Sequence, residues 1–225
     1  MTTSENQATA PTHAVLRDRE VPLVTMQLER LLDLGLAELT EVSARTLTDH
    51  VQTLPHEPNA ILAIHPSLAS ARLLAPLLSR AGKEGFVVED MTDLEQFETI
   101  EGLAVPDSPL YLVQDIDRGD DMRNWSPNEA LPEITARGRT PLTITEGISW
   151  LLQEPQLLGP NHCFMTIGTR KRTPKGLDAR TPALWISGGT GRDGTHRRGA
   201  PKVGWCWAGN RHTWLGFASA RDRSA

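Results

Sequence analysis

The sequence is poor in cysteine, with two in 225 residues. No disulfide framework can be built from so few, and the count fits a reducing compartment. Tyrosine occurs once and phenylalanine four times, against six tryptophans. No apolar run approaches the ~18 residues that a membrane-spanning helix needs, so no membrane partner is expected. The first twenty residues lack the apolar stretch of a signal peptide, and residues 1–21 read as a flexible leader on a cytoplasmic protein. The run GGTGRDGTHRR contains no GxxxxGK[ST] and no GxGxxG that follows a strand to open a helix. GxSxG and HExxH are absent as well. These absences leave no reaction named, no cofactor assigned, the enzyme question open and protein partners unspecified.

Charge is present but unevenly placed. Residues 1–160 hold 11 Lys+Arg against 25 Asp+Glu, whereas residues 161–225 hold 12 against 3. A net charge of −5 therefore conceals an acidic first part and a strongly basic last quarter. Such asymmetry points to an anionic partner, or to the basic part docking on the acidic one.

The apolar periodicity predicts an α+β protein: N-terminal helices and a small α/β unit, followed by a C-terminal antiparallel meander with glycine-rich basic loops. Val24, Leu28, Leu31 and Leu32 form a helical stripe that Gly35 stops, and Leu47, Val51 and Leu54 mark a second helix from Ser43 to Leu54. AILAIH (60–65), FVVE (86–89) and PLYLVQD (109–115) read as strands, with a helix from Ser67 to about Ala81 that Pro76 bends. Ser126-Pro127-Asn128-Glu129 and Thr143-Ile144-Thr145-Glu146 are capping boxes that open two further helices. HCFMTIG, ALWIS, KVGWCW and HTWLGFA supply the meander. The domain reading is a leader over 1–21, an acidic part over 22–160 and a basic tryptophan-rich sheet over 161–225, packed together as one unit.

Three constellations could carry chemistry. A two-residue turn at Gly209-Asn210 pairs Trp207 with His212 and Trp205 with Trp214, which gathers Trp205, Trp207, His212 and Trp214 on one sheet face. With Trp185 they form an aromatic platform, flanked by two long basic connections that carry Arg170, Arg192, Arg197 and Arg198, with Lys202 at the start of the next strand. Bases stack on such aromatics at ~1–3 kcal/mol each while cations hold phosphate, so a nucleotide or nucleic acid is the expected partner. A second core of packed tryptophans is the structural alternative. Asp115 and Asp117 fall on one face at a strand end and could hold Mg²⁺ for an enzyme acting on a phosphorylated substrate. Cys163, Cys206, His162 and His212 are a poor zinc set, because neighbouring residues on a strand point to opposite faces. A scaffold for protein–protein contacts is the third reading.

The phrases YLVQDIDRGDDMRNWSPNEALPEITARGRTPLTITEGISWLLQ, NHCFMTIGTRKR, TPALWISGGTGRDG and RRGAPKVGWCWAGNRHTWLGFASA resemble an actinobacterial family known only as domain of unknown function 5701. The resemblance runs from about Pro22 to Ala220. It implies a compact cytosolic protein and brings no activity, cofactor or catalytic residue with it.

Overall fold

The computed structural model describes residues 21–225. The expected leader, Val21 apart, lies outside the described residues.

One helix organises the molecule. Thr143 caps it through a full capping box, its hydroxyl accepting from the Glu146 amide while the Glu146 carboxylate accepts from the Thr143 amide. All ten residues of Ile144–Gln153 are buried, as a helix packed on several sides requires. We number the helices α1 (Val24–Asp33), α2 (Leu36–Thr40), α3 (Ala44–Val51), α4 (Ala71–Leu74), α5 (Pro127–Ala136) and α6 (Ile144–Gln153). Helix α6 contacts α1, α4 and strands from two different sheets. Its polar side chains are all partnered, as burial demands. The Ser149 hydroxyl donates to Thr145 O and accepts from the Ile64 amide, and Gln153 Nε2 donates to Gln27 O.

The first sheet joins β1 (Ile61–Ile64), β4 (Leu110–Gln114) and β10 (Asp222–Ser224), antiparallel throughout with β4 in the centre. Strand β1 lies at an edge, and side chains occupy its outward amides: Leu62 N–H donates to Gln27 Oε1 and Ile64 N–H to Ser149. This protects an otherwise open edge. The second sheet has the order β9 (Leu215–Phe217), β5 (Cys163–Met165), β7 (Arg180–Ile186), β8 (Pro201–Trp207), β2 (Phe86–Val87). Its three central strands are antiparallel, whereas β9 on β5 and β2 on β8 are parallel. A small ladder of β3 (Phe97–Thr99) with β6 (Thr169–Thr173) completes the larger pairings.

The α+β class expected from sequence is what the fold shows. Both capping boxes form, and Ser43 caps α3. Three local readings need correction. The Ser67–Ala81 helix is a single α-helical turn over Ala71–Leu74 followed by a 3₁₀ turn over Ala75–Leu77. Pro76 has no N–H to continue the α ladder. The strand at FVVE leaves its sequence neighbours and pairs with Lys202 and Val203 in the second sheet. The Gly209-Asn210 hairpin does not form. Asn210 N–H closes a tight turn onto Trp207 O, but the following chain is held elsewhere: Ala208 O accepts from Asn128, His212 O from Asn124, and Trp214 O from Cys163. Leu215 then runs parallel to Cys163. One hydrophobic core spans residues from both the acidic and the basic stretch.

Candidate functional site

The β7–β8 register places the tryptophans. Trp185 stands directly opposite Lys202, so strand alternation puts Trp205 and Trp207 on the other face. The cluster therefore divides in two. Trp185 and Trp214 meet edge-on at 6.3 Å, with His212 5.2 Å from Trp214 and Lys202 Nζ 4.9 Å from the Trp185 ring. Trp205 and Trp207 form a separate edge-on pair at 4.6 Å, and Trp205 Nε1 donates to Asp90. The expected single patch of Trp205, Trp207, His212 and Trp214 is corrected accordingly: its register assumed a hairpin that the parallel β9–β5 pairing replaces. Trp185, Trp205 and Trp214 are half-buried, while Trp207 is 48% exposed. Burial pushes the His212 pKa below its usual value, and its buried Nε2 has no hydrogen-bond partner among the described residues.

The basic residues mostly face carboxylates of the acidic part. Lys171 and Arg180 both reach Asp93, at 2.6 and 2.7 Å. Arg192 lies near Asp90, Arg197 near Glu89, Arg172 near Glu101, Arg211 on Glu129, Arg221 on Asp115 and Arg223 on Glu146. Eight of the twelve cations after residue 160 are thus matched by carboxylates before it, among the described residues. Lys202 pairs with Asp193, which also accepts from Ser187 and so braces the glycine-rich loop from inside. That loop contains Gly189, Gly191 and Gly194, all at positive φ, but it opens onto 3₁₀ turns and no helix. Arg170 is buried and donates to Asp178 O. Arg198 is exposed and makes no ion pair among the described residues.

Asp115 and Asp117 line one cavity of about 540 Å³ together with Arg139 and Arg221. Asp115 sits at φ 48°, where the strand alternation stops. Its carboxylate accepts from Arg139 and Arg221, each at 2.9 Å. Burial raises its pKa, and the two guanidiniums more than offset this, leaving it below the usual carboxylate value. Asp117 Oδ1 accepts from the Gly119 amide. No group of three or more potential metal-ligating side chains occurs among the described residues. The two cysteines are unpaired, and burial lifts the Cys206 thiol to about 11, a poor start for a thiolate ligand.

A further cavity, of about 600 Å³, was not among the sequence candidates. His65 follows β1, Ser70 caps α4, Thr143 and Thr145 open α6, and Thr169 begins β6. All five line the cavity, with Ala71, Leu94, Phe97, Val105 and Ile144 as apolar wall. The capping signal at Thr143 was legible locally, whereas Ser70 fell inside an expected helix that began at Ser67, and nothing in the sequence brings the two to the same place.

Residues 23–225 match the family described as a family of unknown function (DUF5701). The chain belongs to that family. No curated protein and no solved structure matched it. Membership of DUF5701 names no reaction, so the geometry carries the functional argument.

Proposed function

We propose that this DUF5701 protein binds a small molecule, and that the ligand occupies the cavity between His65, the start of α6 and the β3–β6 ladder. The observation that carries the reading is the cavity's size and lining: about 600 Å³, with six apolar residues beside nine polar or charged ones drawn from separate stretches of the chain. Ligand sites have this volume range and combine an apolar surface with convergent polar groups. Replacing Val105 with tryptophan adds an indole at one wall. Ligand-observed NMR with a fragment set is expected to find binders to the wild type whose affinity falls at least tenfold in Val105→Trp. Thr99→Trp fills from another wall and should act alike. Binders indifferent to both substitutions, or no binder to the wild type, would overturn the reading.

A second reading is favoured by one observation. Trp207 is exposed beside Trp205, with Arg192 nearby on Asp90. An anionic ligand such as a nucleotide or single-stranded nucleic acid could stack there. Its support is narrower than sequence alone implied, because most neighbouring cations already face carboxylates.

A further inference from the structure

This inference rests on the cavity reading and concerns the chemistry of the molecule that fills it. The polar groups around the cavity are hydrogen-bond donors in excess. His65 Nδ1 is engaged locally by Ser67, whose hydroxyl lies 2.7 Å and whose amide lies 3.2 Å from it, so Nε2 is the ring nitrogen left to meet a ligand. The Thr169 hydroxyl accepts from the Ile144 amide at 2.9 Å and the Ser70 hydroxyl from the Leu73 amide at 3.4 Å. Each hydroxyl keeps its own proton to give. The α6 dipole adds positive potential at its first turn. An acceptor-rich group suits such a lining.

The rim decides which acceptor. Arg72, the guanidinium that lines the cavity, is committed: its Nε donates to Glu95 at 2.5 Å and its Nη2 to Met91 O at 2.7 Å. Glu95 and Glu98 both border the opening. Among the described residues Arg72 is the cation that lines the site and it is paired with Glu95, so the rim keeps the net negative charge of Glu98, which repels a doubly charged phosphate about twice as strongly as a single charge. The apolar wall of Leu94, Phe97 and Ile144 would cover a hydrocarbon body but not solvate a second polar end.

We infer that the ligand is a monocarboxylate with an apolar body, its carboxylate held by the donors of His65, Ser70 and Thr169. The test uses octanoate and 3-phenylpropanoate beside their primary amides, their amine counterparts and phenyl phosphate. Binding is read by ligand-observed NMR and thermal shift on the full chain. The carboxylates are expected to bind about tenfold or more tighter than every counterpart, in line with hydrogen bonds to a charged group. That binding should be lost in Val105→Trp. Ser70→Gly, which keeps a tolerated cap residue but removes the hydroxyl, should narrow the gap between acid and amide without weakening the amide, and His65→Leu should do likewise. If an amide, amine or phosphate binds as well as the acid and Val105→Trp still abolishes it, the ligand class is wrong and the cavity reading stands. If fragments compete at the cavity while neither carboxylate binds, the inference fails alone. If no compound of either set is sensitive to Val105→Trp, both fail together.

Discussion

Arg223 and Arg192 belong to the same basic stretch, and each faces a carboxylate from the acidic part, yet they stand in different physical worlds. Arg223 lies 4% exposed against a fully buried Glu146, with bonds of 2.5 and 2.8 Å to its two oxygens. The Tyr111 hydroxyl donates to the same carboxylate at 2.9 Å, and Arg223 also reaches Thr140 and Pro141 O. Arg192 is 73% exposed and 3.7 Å from Asp90. Water screens the second pair and cannot reach the first. The charge asymmetry is therefore read in two ways by one fold: inside, as a fixed joint between last strand and central helix; outside, as loose matching of opposite surfaces.

The comparison is broken most severely at its buried end. Arg223→Ala leaves the Glu146 carboxylate sealed without its cation, and should cost about 3–5 kcal/mol in urea unfolding. Replacing both partners together with apolar residues should recover most of that loss; failure to recover would show that the site is held by packing and not by the missing charge.

Asp93 lies between the extremes, 18% exposed and bonded to both Lys171 and Arg180. The Arg180 hydrogen bonds, against an opposing burial effect, hold its pKa far below the usual 3.8. A carboxyl with a depressed folded pKa contributes stability above its unfolded value and loses it as the pH falls toward the folded one. Asp93→Asn should thus cost about 2 kcal/mol at neutral pH, and its penalty should shrink below about pH 4. A penalty that does not change between pH 7 and pH 3 would refute the assignment.

At the exposed end the effects should be small. Arg192→Ala is expected to shift unfolding by no more than about 0.5 kcal/mol. Trp207→Ala should also leave the fold intact, and on the stacking reading it should weaken salt-sensitive binding of an oligonucleotide by about tenfold or more. Equal binding by wild type and variant would remove Trp207 from any site.

Much of the helical structure was legible because its causes are local. The Ser126 and Thr143 capping boxes sit within four residues each, and the Leu28–Leu31 stripe within one turn. Strand partners were harder, since no rule of spacing brings Phe86 beside Lys202 or Leu215 beside Cys163. The tryptophans show the consequence: alternation along β8 fixed which indoles share a side, but the partner strand decided which other indoles joined them. Ion pairing was half legible, as the charge totals announced a match without saying which residues would make it. The cavity escaped because His65, Leu94, Thr143 and Thr169 come from four stretches of chain that only tertiary packing joins.

The place of β10 has a consequence for biosynthesis. Strand β4 is flanked on one side by β1, made early, and on the other by residues 222–224. Until residues 222–224 are made, β4 has one bare flank and Glu146 lacks its guanidinium. The sheet closes only once residues 222–224 have been made, so β4 gains its second neighbour long after its first. Substitutions that stop residues 222–224 from pairing would leave this flank of a hydrophobic strand open to any neighbouring chain.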